Sequence, residues 1–157
     1  MKWMSFGDAG FFFAIVDAND RWHKERVALL AELKKGGWQL VTTLLVVAET
    51  HALLLRRFGS HAAMLWLKHA LPYLTIVPVE PTDLDKALSI LERYADKDFS
   101  LTDAISFAVM ERLGISRAML TKPTEGGYFQ SASADFVSIA QHFNAGRRVW
   151  EGSGCIG

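Results

Sequence analysis

Trp38-Gln39-Leu40-Val41-Thr42-Thr43-Leu44-Leu45-Val46-Val47-Ala48-Glu49-Thr50-His51-Ala52-Leu53-Leu54-Leu55-Arg56-Arg57-Phe58 is the stretch that decides the fold. Trp38–Thr42 is short and rich in apolar and β-branched residues, and reads as a strand. Thr43–Phe58 is then apolar nearly all round over two turns, which predicts a helix buried on several sides. Gly59 stops that helix. Upstream, Lys2–Gly7 reads as a strand that ends at Asp8, and Ala9–Asp17 as an apolar helical segment. Asp20 is placed to cap a helix through Gly36, with Val27, Leu30 and Leu33 on its apolar side. Lys24, Glu25, Lys34 and Lys35 make its wet side.

Downstream the same alternation continues. Ser60–Leu71 reads as a helix closed by Pro72, and Tyr73–Val79 as a strand. Thr82–Ala95 is a helix opened by Pro81 and a Thr82-x-x-Asp85 pattern. Ser100–Leu113 is a helix with Ile105, Ala108, Val109 and Leu113 as its stripe, ended by Gly114, and Ile115–Thr121 is a fourth strand. Lys122–Ala134 has no periodicity and reads as a loop. Asp135–Phe143 reads as a short helix, Arg147–Trp150 as a last strand and Glu151–Gly157 as a flexible glycine-rich tail. Strands alternating with helices predict an α/β fold, a three-layer α/β/α sandwich with a mostly parallel central sheet of about five strands. Residues 1–150 make one domain, as a chain of 157 residues allows.

Composition narrows the function. Half the residues are hydrophobic and 22% are charged, so the chain can build a core and is not disordered. Seventeen Lys and Arg balance seventeen Asp and Glu, which excludes a protein that coats nucleic acid through bulk positive charge. The single cysteine, Cys155, rules out an internal disulfide and a cysteine-based metal site, as suits a reducing compartment. The apolar run Phe11–Val16 is too short to span a bilayer and no signal peptide is evident. A soluble cytoplasmic protein is expected.

In an open parallel sheet, ligands bind beyond the carboxyl ends of the strands, so acids at those ends carry most weight. Asp8 directly follows the first strand, as an N-cap or as a ligand. Glu49 lies within an apolar helix, where an ionised carboxylate needs a pairing partner or a narrow polar stripe, here shared with Thr42 and Arg56. Asp103 falls in Ser100-x-x-Asp103, the spacing of a capping box. Asp96 and Asp98 suit a solvated turn, and Asp135 can cap the helix after the loop. Together the acids point to a carboxylate cluster that a divalent cation would neutralise. Oxygen donors select magnesium or manganese, and metal-bound water then hydrolyses a phosphodiester.

Three blocks make the chain resemble a PIN domain, in particular the VapC-type toxin ribonucleases of toxin–antitoxin pairs. They are Phe6-Gly7-Asp8-Ala9-Gly10-Phe11-Phe12, then Leu40 to Thr50, then Tyr94 to Met110 with Phe99-Ser100-Leu101-Thr102-Asp103-Ala104 at its centre. The similarity runs from the first strand to Trp150. It implies that Asp8, Glu49 and Asp103 are catalytic and hold Mg2+, with Mn2+ as a substitute. It also implies an RNA substrate, a cognate antitoxin and a homodimer. Two positions depart from the family. Gly10 stands where Ser or Thr is usual, and no acid follows the fourth strand, where Thr121-Lys122-Pro123 is found. Asp135 is the nearest fourth acid, while a competing register puts Ala140 in its place.

Other residues carry less. The histidines lack metal-ligand spacing, and His23, His61 and His69 suit the surface or a groove. Arg56-Arg57 and Arg147-Arg148 are placed to grip phosphates, to bind an acidic partner or simply to be solvated. Two rival functions remain. One is a PIN-like RNA- or protein-binding module with weak or lost catalysis. The other is a phospho-receiver, suggested by Lys122-Pro123 but lacking a phosphate-accepting Asp at the end of a middle strand.

Overall fold

The computed structural model describes residues 3–115, 117–119 and 150–151. The loop at 122–134, the helix expected at 135–143 with Asp135, and the tail from 152 onward lie outside the described residues. The chain divides into two compact units, Met1–Pro78 and Val79–Gly157.

The first unit runs β1 (Met4–Gly7), α1 (Ala9–Val16), α2 (His23–Lys35), β2 (Gln39–Thr43), α3 (Leu44–Phe58), α4 (Ser60–Ala70) and β3 (Leu74–Val77), with a 3-10 turn at Leu71–Tyr73. β2 lies between β1 and β3, and both pairings are parallel. Met4 faces Gln39 and Phe6 faces Val41 on one side, and Leu40 faces Leu74 and Thr43 faces Val77 on the other. Phe6, Val41, Phe11, Phe12, Val46, Leu54 and Ala63 are buried in its core. Each large apolar side chain so buried contributes about 1.5–3 kcal/mol. At the exit of β1 the chain has no room for a side chain, since a Cβ on Gly7 would stand 2.7 Å from the Phe12 ring.

The second unit holds α5 (Pro81–Arg93), α6 (Leu101–Leu113), β4 (Arg117–Met119) and β5 (Trp150–Glu151). β4 and β5 pair antiparallel, Arg117 with Glu151 and Ala118 with Trp150. Glu151, read as tail, therefore belongs to a strand. α5 packs on α6, and Arg112 on α6 donates to Asp83 on α5 through Nε at 2.9 Å and Nη2 at 2.9 Å. Gly114 closes α6 in the left-handed conformation, φ 63°.

The α/β class and the parallel sheet stand, while several local expectations are corrected. α2 buries Arg26, Leu29 and Leu33 and leaves Val27 exposed, so its inner face is one residue out of phase with the stripe expected. Asp20 accepts from the Trp22 amide at 2.8 Å, but the helix begins only at His23. α3 buries Val46, Val47, Thr50 and Leu54 yet exposes Leu44, Leu45 and Leu55, so it is covered on one side and not all round. α5 is capped by a Glu80–Asp83 box and not by Thr82 and Asp85. Proline takes the first helical position, which pushes the cap one residue upstream of it.

Candidate functional site

Asp8 sits at the carboxyl end of β1, where Gly7 turns the chain into α1. Its Oδ1 accepts the Phe11 amide at 2.7 Å, so it is the N-cap of α1. Thr42, at the matching end of β2, donates its hydroxyl to the Gly7 carbonyl at 2.9 Å and is buried. That bond ties the two strand ends together immediately before Asp8. Thr43 then caps α3 through the Val46 amide, and Thr50 donates back to the Val46 carbonyl at 2.7 Å. α3 therefore leaves from the strand edge that Asp8 occupies, and carries Glu49, half-buried, in its second turn.

Asp103 belongs to the second unit. Ser100 and Asp103 form the reciprocal box, with the Ser100 amide on Asp103 Oδ2 at 2.9 Å and the Asp103 amide on Ser100 Oγ at 3.1 Å. Ser106 continues the pattern by donating to the Thr102 carbonyl at 2.7 Å. Asp8 and Asp103 thus both serve a helix start in their own units, Asp8 as the N-cap residue and Asp103 from the third helical position. Each accepts one backbone amide through a single carboxylate oxygen, Asp8 from Phe11 and Asp103 from Ser100. Asp8 and Glu49 fall in one unit and Asp103 in the other. Within neither unit, among the described residues, do three His, Cys, Asp or Glu side chains group closely enough to hold a metal ion. The donor chemistry is all carboxylate, which fits a hard divalent cation and not a soft one.

Arg26 has no role in the sequence reading. It projects from the buried face of α2 and is 3% exposed. Burial pushes its guanidinium below the ordinary arginine range, while the charges of Asp8 and Asp20 act the other way. It remains a cation at neutral pH. The Trp22 ring lies 5.9 Å from its Cζ. The signal was present in the sequence, since Arg26, Leu29 and Leu33 follow helical spacing as well as Val27, Leu30 and Leu33 do. A hydrophobicity pattern passes over an arginine in that register.

The remaining candidates settle into structural roles. His23 donates Nδ1–H to the Ala14 carbonyl at 2.8 Å and pins the start of α2 to α1. Arg57 stands 3.9 Å from Asp17 and over the Phe58 ring, and its side chain is largely exposed, so that pair contributes little to stability. Phe11 and Phe12 are core, whereas Phe13 stacks on Phe58. Asp96 is exposed and paired with its neighbour Lys97 at 3.2 Å, as a solvated turn requires. No helix among the described residues is long and apolar enough to cross a membrane.

A family model for the PIN domain matches residues 6–121. That span contains Asp8, Glu49 and Asp103 and excludes Asp135. The 23S rRNA-specific endonuclease VapC20, from two strains of Mycobacterium tuberculosis, is 35% identical over 118 residues, or 73% of this chain and 86% of its own. The crystal structure of Mycobacterium tuberculosis VapC20, a sarcin-ricin loop cleaving toxin, matches with a TM-score of 0.62 and 29% identity, again over 73% and 86% of the two chains.

Proposed function

The chain belongs to the PIN-domain family, and from that premise we propose that it is a magnesium-dependent endoribonuclease, the toxin of a toxin–antitoxin pair. What supports this most directly is a single family span that holds all three acids expected to carry the chemistry. In this proposal Asp8, Glu49 and Asp103 hold Mg2+, or Mn2+ in its place, and Asp135 is the fourth acid. When bound, the metal supplies Lewis acidity for an attacking water and for the leaving oxygen of a phosphodiester.

The chain's own groups prepare that chemistry. The α1 cap and the Thr42 hydroxyl fix where Asp8 stands, and Ser100 does the same for Asp103. Arg26 sets a buried positive charge against Asp8, so that carboxylate is partly compensated before metal arrives. The proposal extends to a three-layer sandwich with a five-stranded central sheet, one domain over 1–151, a homodimer and a cytoplasmic setting. A cognate antitoxin would silence it. VapC20 acts on 23S rRNA, and a structured RNA is the substrate class proposed here.

Gly10 keeps a second reading in view, a PIN-like binding module with lost turnover, because it offers no hydroxyl two residues after Asp8. One experiment decides between them. Wild-type protein with Mg2+ or Mn2+ should cut structured RNA, and a Glu49→Gln, Asp103→Asn double variant should not. Equal survival of the RNA in both would leave only the binding module.

A further inference from the structure

The first unit has a second chemically distinctive edge, at the opposite ends of its strands from Asp8. Trp3 immediately precedes β1, Trp38 precedes β2 and Tyr73 precedes β3. The register puts Met4 beside Gln39, so Trp3 and Trp38 are level, and their ring centroids are 5.7 Å apart with a 34° tilt. Trp38 is held from behind, its amide on the Leu33 carbonyl at 3.0 Å and its ring so close to Gly36 that a Cβ there would stand 2.8 Å away. Trp3 is 56% exposed and Tyr73 71% exposed. Lys34 Nζ lies 5.1 Å from the centre of the Tyr73 ring.

Among the described residues the charge at this edge is mostly positive, with exposed Glu32 just upstream of it on α2. Residues 33–39 and 68–74 contribute Lys34, Lys35, Lys68 and His69, all exposed, and no carboxylate. These cations end α2 and α4, where they also complement the helix dipoles. A dipole accounts for the lysines but not for two large aromatic rings left in water beside them. Aromatic faces interleaved with cations are what single-stranded nucleic acid requires, because bases stack and phosphates are neutralised with no need to read sequence.

We propose that Trp3, Trp38 and Tyr73, with Lys34 and Lys35, form a stacking surface for single-stranded RNA, distinct from the strand edge that carries Asp8. Its use rests on the nuclease reading. The surface would hold a single-stranded part of a long substrate while the carboxylates act elsewhere on it, raising affinity for long RNA over short.

A fluorescein-labelled twelve-nucleotide uridine-rich RNA in EDTA tests binding without turnover. Wild type should bind it and quench its own tryptophan fluorescence. Trp3→Ala, Tyr73→Ala should weaken binding by about 10- to 100-fold. Lys34→Gln, Lys35→Gln should flatten the slope of log affinity against log salt by about one. Both pairs should melt as wild type, since the side chains removed are exposed. With Mg2+, the aromatic pair should raise KM for a long RNA about tenfold with kcat kept, and leave cleavage of a tetranucleotide unchanged. Unchanged affinity and salt slope in both variants would overturn the proposal. So would absence of RNA binding in wild type combined with self-association, in sedimentation, that the aromatic pair abolishes. RNA binding in EDTA without cleavage in Mg2+ would support the surface while removing the nuclease reading.

Discussion

α3 and α6 each carry a candidate acid, and they invert what their compositions promise. α3 is the richer in leucine, yet Leu44 is 66% exposed and Leu45 and Leu55 are also open to water. α6 is buried without a break from Ala104 to Met110. Its small residues, Ala104, Ser106 and Ala108, alternate with Ile105, Phe107, Val109 and Met110, which lets neighbouring chain approach from every side. Apolar composition says how much a helix has to bury, and side-chain size decides from how many directions it can be covered. The acids differ accordingly. Asp103 sits in the first turn, where amides lack helical partners and its carboxylate has a structural task. Glu49 sits in the second turn, where the helix satisfies its own amides, so it has no capping task there.

That contrast is open to direct attack. Glu49→Gln should cost about 10³-fold or more in RNA cleavage, about 4 kcal/mol in the barrier. Its stability in urea denaturation should fall by no more than about 1 kcal/mol, since glutamine keeps the side chain's size and hydrogen-bonding capacity. A large loss of stability would place Glu49 with Asp103 as a structural acid. Phe107→Ala, which empties a buried site against Phe99, should cost about 3–5 kcal/mol in urea denaturation.

Arg112→Met should cost about 2–4 kcal/mol, because Asp83 is 2% exposed and would stay buried without its cation. Burial pushes the Asp83 carboxyl up, but its hydrogen bonds from Arg112 and the Glu80 amide and the charge of Arg112 outweigh this, and it ends below the ordinary carboxylate range. Stability from a depressed acid is present above its unfolded pKa and lost as pH falls through the folded one. Wild type should therefore lose this contribution below about pH 4. In Arg112→Met the difference between urea melts at pH 7 and at pH 3 should be smaller than in wild type.

Asp103→Ala should remove both cleavage and about 1 kcal/mol of stability, while Asp103→Asn loses cleavage but keeps most of the cap. Smallest of all, Leu44→Gln on the open face of α3 should move the urea midpoint by no more than about 0.5 kcal/mol. A larger destabilisation that depends on protein concentration would show that a second molecule covers this face.

What could be read from the residues, and what could not, follows the range of each signal. The order β1, α1, α2, β2, α3, the Ser100–Asp103 box and the placement of Asp8 at a strand end all rest on contacts within four residues, and all were legible. The phase of α2 was not, because its inner face is chosen by what it meets, and it accepts Arg26 opposite Asp8 in place of Val27. The α5 cap was misread by two residues, since Thr82 and Glu80 both offer an oxygen and only Pro81 between them decides. The exposure of Leu44 depends on what packs over α3, which no local pattern records.

Gly7 is no proposed ligand itself and has no side-chain chemistry of its own. The Phe12 ring that a side chain at residue 7 would meet packs against Phe11 and Trp66, with ring centroids 5.5 and 5.8 Å apart. Any substitution at residue 7 must displace the Phe12 ring or the backbone by which Asp8 is held. A genetic selection for cells that survive expression of this protein should therefore recover changes at Gly7 beside those at the acids. Such survivors would look like active-site mutants and yet retain every ligand, a class that sorting by chemistry alone would misfile.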